Sequence, residues 1–261
     1  TIVQSIRQGP GGQNPALTAV CDEDFDLSYG ELFAKVDAIS ADLQAAGLRP
    51  KMRVALFCSD CVDYIIASLA ILNCQGVLVP VHASSTAEEV ADLLEQMRVN
   101  LLIFDPQLHT DDAAGDLTPG VWICTGLRLV DTGVAATFDW LDEVEDPAFI
   151  RFSSGTTGSK KGVLLTHTAI HERVNNADKA LAITPDDTIL WVLSMSFHFV
   201  VSILLFLLRG ARICLCQRDF PFVLQGALQA GKGTFIYAAP LHYHMLCASD
   251  QFPGEALKNV R

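Results

Sequence analysis

Apolar residues recur at two different spacings along this chain, and the alternation of these spacings predicts an α/β fold. Leu32, Val36, Ile39 and Leu43 lie three or four residues apart, which is the spacing of a helix face. The segment at 53–57 is instead continuously apolar after Arg53, as in strands that are buried on both faces. Segments that alternate in this way predict layered, mainly parallel sheets flanked by helices.

The same alternation continues through the first half of the chain. A helix at 65–72 is followed by Gly76 and a strand at 77–81. A helix that contains Glu88, Glu89 and Leu93 then precedes a strand at 101–104. Residues 105–120, rich in Asp, Gly, Thr and Pro, predict a surface excursion.

The length of 261 residues allows one large domain or two small ones. The order of the predicted elements favours two subdomains, an α/β subdomain at 1–145 and a second α/β subdomain at 146–261.

Charge and composition narrow the class of protein. Half of the residues are apolar and 18% are charged, which agrees with a large buried core. The formal net charge of −12 argues against nucleic acid as a partner, because phosphate contacts need a basic surface. The first residues show no basic stretch ahead of an apolar core, and we expect a cytoplasmic protein.

The eight cysteines do not predict a metal site. Cys58-x-x-Cys61 has no second pair at the spacing of a zinc site, and Cys214-x-Cys216 follows the alternation of a strand. Reduced cysteines that pack as small apolar side chains explain this usage.

The loop at 153–162, S-S-G-T-T-G-S-K-K-G, has the most specific chemistry. Glycines let backbone N–H groups approach an anion, hydroxyl groups add hydrogen-bond donors, and lysine adds positive charge, so the loop predicts phosphate binding. Apolar residues on both sides place the loop between two strands. It is not a Walker A loop, which requires G-K-[S/T] directly before a helix.

Residues 152–163, followed by L-T-H at 165–167, resemble the signature of the adenylate-forming superfamily, aromatic-[ST]-S-G-T-T-G-x-P-K-G-V and then L-T-H. This superfamily contains acyl- and aryl-CoA ligases, the adenylation domains of peptide synthetases, and luciferases. L-S-Y-G-E-L at 27–32 and G-V-L-V-P-V at 76–81 resemble further motifs in the same order. Lys160 stands where the family has proline, so the loop lacks one fixed φ angle.

The resemblance implies that a carboxylate attacks the α-phosphate of ATP, giving an acyl-adenylate and pyrophosphate. A thiol of coenzyme A or of a phosphopantetheine carrier then displaces AMP. Lys161 and Thr156 are implied to stabilise phosphate charge, with Mg²⁺ bound to ATP and no metal site built by protein side chains. The residues implied to bind ATP are Ser153, Ser154, Gly155, Thr156, Thr157, Gly158 and Lys161.

Residues 189–208 carry no formally charged side chain, and their length is that of a membrane span. Ser194, Ser196, His198 and Ser202 interrupt the stretch. The resemblance divides it into a strand at 188–193, a turn, and a buried helix at 199–208, so we expect no transmembrane segment. Peripheral membrane association stays open.

Within this stretch, M-S-F-H at 195–198 resembles the P-x-F-H motif of acyl- and aryl-activating members. Amino-acid-activating members have aspartate at the histidine position, which pairs with the α-ammonium group. The resemblance therefore implies a fatty or aromatic acid, in a pocket formed by Phe197, His198 and Tyr237. Taken alone, a histidine in an apolar run is more often a core residue, and that alternative stays open.

The resemblance covers the chain from about Leu17, but only about half of a family member. The adenine and ribose motifs and the small C-terminal domain have no counterpart, so we expect an N-terminal part that is truncated about halfway and inactive by itself. The alternative is a stand-alone, non-catalytic binding or interaction module. Expected partners are a small-molecule carboxylic acid and a carrier protein, and an uncovered sheet edge near 235–239 favours self-association.

Overall fold

The computed structural model describes residues 1–107, 121–123, 126–135, 140–153, 161–216, 220–248, 257–258 and 260–261. In chain order, the strands are β1 Thr18–Cys21, β2 Asp26–Ser28, β3 Arg53–Phe57, β4 Val77–Val81, β5 Leu101–Phe104, β6 Val121–Trp122, β7 Arg128–Asp131, β8 Pro147–Ser153, β9 Lys161–Thr166, β10 Thr188–Trp191, β11 Arg212–Leu215 and β12 Phe235–Tyr237. The α-helices are α1 Ile2–Gln8, α2 Pro10–Gln13, α3 Tyr29–Ala45, α4 Val62–Asn73, α5 Ala87–Gln96, α6 His167–Leu181, α7 Met195–His198, α8 Leu204–Leu208, α9 Phe222–Gln229 and α10 Pro240–Cys247. A 3₁₀ turn spans Trp140–Glu143, and a π-helical turn spans Phe199–Ile203.

Contacts divide the chain into two compact units. The first unit comprises Thr1–Gln4 and Ala34–Arg173, and the second comprises Ser5–Phe33 and Val174–Arg261. Strands β8 and β9 belong to the first unit because they extend its sheet beside β4. The boundaries of these units differ from the predicted division into 1–145 and 146–261. That division into two subdomains stays a prediction.

The first unit contains a sheet with the strand order β6-β7-β5-β3-β4-β8-β9. Strands β5, β3, β4 and β8 run parallel, whereas β7, β6 and β9 each run antiparallel to a neighbour. Every residue of β3, β4 and β5 is buried, which confirms the strands predicted from continuous apolar runs. The irregular segment expected at 105–120 lies outside the described residues after Gln107.

The helices of the first unit follow the predicted periodicity. Helix α5 begins with a capping box, in which Thr86 and Glu89 each accept the other's backbone N–H. Its residue Val90 is fully buried against Phe57 and Phe104 on one face of the sheet. In α3, which runs from the second unit into the first, the four residues predicted to share a face are fully buried: Leu32, Val36, Ile39 and Leu43.

The second unit contains a sheet with the strand order β12-β10-β11-β1-β2, in which only β2 is antiparallel to its neighbour. Leu190 and Ile236 pack with Leu224 and Leu228 of α9 on one face. Trp191 and Phe206 contact each other, so α8 also packs against this sheet. The two units thus confirm the predicted α/β class, with sheets flanked by helices.

The apolar stretch at 189–208 is part of the second unit's core. It forms β10 and then an uninterrupted helical segment from Met195 to Leu208, of which Phe199 and Phe206 are fully buried. The helix expected to begin at Phe199 therefore begins four residues earlier, because Met195 and Ser196 are buried with it. In the described part of the chain, no helix is both long enough and apolar enough to cross a membrane.

Strand β12 lies at one end of the second sheet, as expected, but its outer edge is not bare. The N–H of Arg261 donates to Thr234 O at 2.9 Å, and the N–H of Ile236 donates to Arg261 O at 3.3 Å. Backbone groups near the end of the described chain therefore pair with part of the edge strand, and self-association through this edge stays a prediction.

Candidate functional site

The predicted phosphate loop joins two antiparallel strands. We call β8, residues 154–160 and β9 the phosphate hairpin. Ser153 is the last residue of β8 and pairs directly with Lys161, the first residue of β9. The predicted ligand residues Ser154, Gly155, Thr156, Thr157 and Gly158 lie outside the described residues, as do the side chains of Ser153 and Lys161.

Strand β8 ends at an edge of the sheet that is suited to ligand binding. Strand β8 runs parallel to β4, with Phe149 opposite Leu78, so the carboxyl ends of β3, β4, β5 and β8 lie at one edge. In open α/β sheets, ligands bind outside this edge. The residues flanking the loop form strands, as the sequence predicted.

The motif residues after the loop are structural. Gly162 lies so close to Ile150 that a Cβ atom would be 3.2 Å from Ile150 Cγ2. Thr166 Oγ1 accepts the N–H of Ala169 at 3.0 Å and so supports the first turn of α6.

His167 of the L-T-H segment is 3% exposed, and its Nδ1 accepts the N–H of Ile2 at 3.3 Å. Burial lowers its pKa to about 4, so the imidazole is neutral at physiological pH. Within the described ranges, its Nε2 has no hydrogen-bond partner. The second half of the motif therefore anchors the hairpin and begins the next helix.

The predicted acid-binding residues lie in the second unit, where His198 and Tyr237 belong to one group of rings. We call Trp191, His198, Phe206 and Tyr237 the aromatic cluster. Trp191 and Tyr237 occupy paired positions on β10 and β12 and stack with centroids 5.6 Å apart. The His198 ring is edge-on to both, at 6.3 Å from Trp191 and 6.2 Å from Tyr237.

Two rings of the aromatic cluster are buried and two are accessible to solvent. Trp191 and Phe206 are fully buried, whereas His198 and Tyr237 are partly exposed. Phe206 contacts Tyr237 edge-on at 5.8 Å and so supports it from the core. Phe197, the third predicted pocket residue, is half-exposed.

His198 is the last residue of α7, directly before the π-helical turn. A π turn places one extra residue in a helix and recurs at functional sites. Because of this turn, His198 and Phe206 lie on the same face of the helical segment although they are eight residues apart. Both contact the rings of Trp191 and Tyr237.

Sequence reasoning missed Trp191 and Phe206 as members of this site. Both lie in the uncharged stretch that the sequence assigned to a core strand and a core helix. The available signal was the position of Trp191 in the second half of the strand predicted at 188–193, near the carboxyl end, where binding residues of α/β folds gather.

Comparisons with known proteins cover nearly the whole chain. The model of the AMP-binding enzyme family matches residues 8–261. The hybrid PKS-NRPS synthetase pynA of Aspergillus niger is 28% identical over 257 residues, which are 94% of this chain and 6% of that protein. The chain thus spans a small part of this curated relative.

Solved structures show the same fold. ATP-bound MatB from Rhodopseudomonas palustris superposes with a TM-score of 0.79 at 20% identity, over 100% of this chain and 53% of that chain. The inhibitor-bound N-terminal domain of FACL13 from Mycobacterium tuberculosis gives a TM-score of 0.81 at 21% identity, over 100% of this chain and 68% of that chain. Since the family match extends from residue 8 to residue 261, this chain belongs to the AMP-binding enzymes of the adenylate-forming superfamily.

Proposed function

We propose that the chain contributes the phosphate loop and the acid-binding surface of an enzyme that activates a carboxylic acid with ATP. The acid would form an acyl-adenylate with release of pyrophosphate, and a thiol of coenzyme A or of a phosphopantetheine carrier would then take the acyl group. The observation that carries this proposal is the position of the residues that flank the loop motif: Ser153 ends β8 at the carboxyl edge of the parallel strands and pairs with Lys161 of β9.

The loop would act through charge and hydrogen bonds. Lys161 and Thr156, with the backbone N–H groups of the glycine-rich segment, would hold the β- and γ-phosphates and leave the α-phosphate accessible to the acid. Magnesium bound to ATP would screen the phosphate charges. Among the described residues, no group of three or more His, Cys, Asp or Glu side chains is placed to hold a metal ion.

The aromatic cluster favours a fatty or aromatic acid. His198 and Tyr237 offer partly exposed rings above the buried Trp191, and none of the four rings carries a fixed negative charge for an α-ammonium group. A small-molecule acid with an apolar body would gain free energy by covering these rings.

The first experiment tests the loop in the complete reading frame that contains this chain. Lys161→Ala should lower the rate of acid-dependent pyrophosphate release by about 100-fold or more, since removal of one preorganised donor to the transition state typically costs about 2.7–4 kcal/mol. Lys160→Ala is the matched control, because Lys160 stands at the family's proline position and should matter less. Equal rates for the wild type and Lys161→Ala would contradict the proposed role of Lys161.

A second experiment tests the acid. Pyrophosphate exchange with fatty acids, aromatic acids and α-amino acids should show a preference for one of the first two classes. A clear preference for an amino acid would overturn the assignment to His198 and the aromatic cluster while leaving adenylation intact.

The alternative is a stand-alone, non-catalytic binding or interaction module with the same fold. A complete reading frame that releases no pyrophosphate with any acid, yet binds ATP or a partner protein, would select this alternative.

A further inference from the structure

Two cysteines stand at the junction of a strand and a helix, outside the site described above. Cys58 directly follows β3, and Cys61 is the N-cap residue of α4. The backbone of Cys61 is extended, with φ −146° and ψ −179°. Their sulfur atoms are 3.9 Å apart in the reduced state. A C-x-x-C segment in a β-α-β unit is the arrangement of dithiol redox sites.

The two thiols differ in access. Cys58 is 2% exposed, whereas Cys61 is partly exposed at the start of the helix. An oxidant in solution therefore reaches Cys61 first, and Cys58 lies behind it within reach of the same sulfur.

The two thiols also differ in acidity. The pKa of Cys61 is lowered to about 7, because hydrogen bonds from the Cys58 thiol, the Tyr64 backbone N–H and the Ser59 hydroxyl outweigh burial and the charge of Asp63, which raise it. The pKa of Cys58 is raised well above its ordinary value, first by its hydrogen bond with Cys61 and then by burial. The negative charges of Asp63 and Asp105 raise the pKa of Cys58 further.

We propose that Cys58 and Cys61 form a reversible thiol–disulfide site that reacts with low-molecular-weight disulfides. The Cys61 thiolate attacks one sulfur of the disulfide, so that a mixed disulfide forms and one thiolate leaves. Cys58 then loses its proton to that thiolate or to solvent and attacks Cys61 Sγ, which releases the second thiol. The two cysteines lose two electrons and two protons, and the external disulfide is reduced to two thiols.

The chain contains its own control pair. Cys214 and Cys216 also have sulfurs 3.9 Å apart, but both are buried, in and directly after β11. Residues two apart in a strand have Cα atoms separated by about 6.6 Å, near the upper limit for a disulfide. Since β11 is paired on both sides, it cannot shorten this distance without loss of sheet hydrogen bonds.

The Cys58–Cys61 pair lies near the phosphate hairpin. Cys58 follows Phe57, which pairs with Val81, and the register of β4 with β8 brings Ser153 to the same level of the sheet. Only β4 separates the two strands, so the backbones of Cys58 and Ser153 are about 10 Å apart. A disulfide at Cys58 would therefore form at the edge from which the phosphate loop leaves.

The test exposes the natively folded chain to glutathione disulfide, alkylates the remaining thiols, and maps the cysteines by mass spectrometry. We expect a Cys58–Cys61 linkage in most molecules, reversed by excess reduced glutathione, with Cys214 and Cys216 recovered as alkylated thiols. Cys58→Ser should retain a mixed disulfide at Cys61, because no second thiol displaces glutathione. Cys61→Ser should leave Cys58 as a thiol, and the control Cys216→Ser should keep the linkage.

Two results would overturn the proposal. One is the recovery of Cys58 and Cys61 as thiols when the exposed Cys247 is fully glutathionylated. The other is a Cys214–Cys216 linkage formed to the same extent, which would indicate unselective oxidation. The mapping of the wild type decides between these outcomes even if a serine variant fails to fold.

Discussion

Trp191 and Tyr237 face each other across neighbouring parallel strands, and their ring planes lie within 10° of parallel. Aromatic pairs of this kind contribute about 0.5–1.5 kcal/mol beyond the area that they bury. Because both rings stand at the carboxyl ends of their strands, the stack fixes the aromatic cluster to the sheet and not to a loop.

Tryptophan fluorescence should report on this stack. Trp191 is fully buried, whereas Trp122 and Trp140 are 63% and 58% exposed. We expect a blue-shifted emission component that acrylamide quenches poorly and that disappears in Trp191→Phe. Trp140→Phe, the control, should remove only quenchable emission, and a protected component that survives Trp191→Phe would contradict the assignment.

Replacement of Tyr29 by Phe should destabilise the second unit. Tyr29 is fully buried, and its hydroxyl donates to Ala211 O at 2.8 Å. Its loss leaves a buried carbonyl with one acceptor position unused, so urea unfolding should show a decrease of about 1–2 kcal/mol. Tyr243→Phe is the control, because this tyrosine is 43% exposed and water can replace its bond to Ile236 O. A larger loss for Tyr243→Phe than for Tyr29→Phe would refute the prediction.

Replacement of Asp187 by Asn should lower stability in a pH-dependent way. Burial alone raises the pKa of Asp187, but hydrogen bonds from Thr184 and Thr234 and the pairing with Arg261 at 2.7 Å outweigh it and hold the pKa below 3.8. A lowered pKa in the folded state means that the stabilisation is present above the unfolded pKa and is lost as the pH falls through the folded pKa.

Asp187→Asn should therefore cost about 2 kcal/mol at pH 7, and the difference from the wild type should shrink below about pH 4. Thermal unfolding across this pH range measures both effects. Asp186→Asn, at the exposed neighbouring position, should change little. A difference for Asp187→Asn that persists unchanged at the lowest pH would contradict the ionic explanation.

Two glycine substitutions should have opposite effects. A Cβ at Gly233 would lie 2.4 Å from Cδ1 of the fully buried Leu190, so Gly233→Ala should destabilise the chain by about 1–3 kcal/mol. Gly226 lies inside α9, and apart from the neighbouring backbone of its own helix no atom lies within 4 Å of an added Cβ. Gly226→Ala should therefore stabilise the helix by about 0.5–1 kcal/mol. Equal effects of the two substitutions in chemical denaturation would show that the close approach at Gly233 is not limiting.

Much of the fold could be predicted because its signals are local. The apolar positions of α3 and the uniformly apolar β3 and β4 depend on residues close in sequence, and the flanks of the phosphate loop read correctly as strands. The start of the helix at Met195 was missed because residues 189–208 are mostly apolar and their few polar residues follow neither a strand nor a helix period, so no periodicity marks where the strand ends.

The aromatic cluster needed information that no local pattern contains. Trp191 and Tyr237 are 46 positions apart in sequence, and their contact depends on the pairing of β10 with β12. His198 could be named from its motif, but its position between these rings depends on the same pairing and on the π-helical turn.

The π-helical turn Phe199–Ile203 has a consequence for the evolution of chain length. It holds one residue more than an α-helix of the same course, so it is equivalent to a one-residue insertion that the helix has absorbed. Deletion of one residue from this turn would restore an ordinary α-helix, in which His198 and Phe206 would be seven residues, or nearly two full turns, apart. Both side chains would then still face the Trp191 ring. A related chain that is shorter by one residue at this point can therefore keep the whole aromatic cluster, with its gap inside the turn.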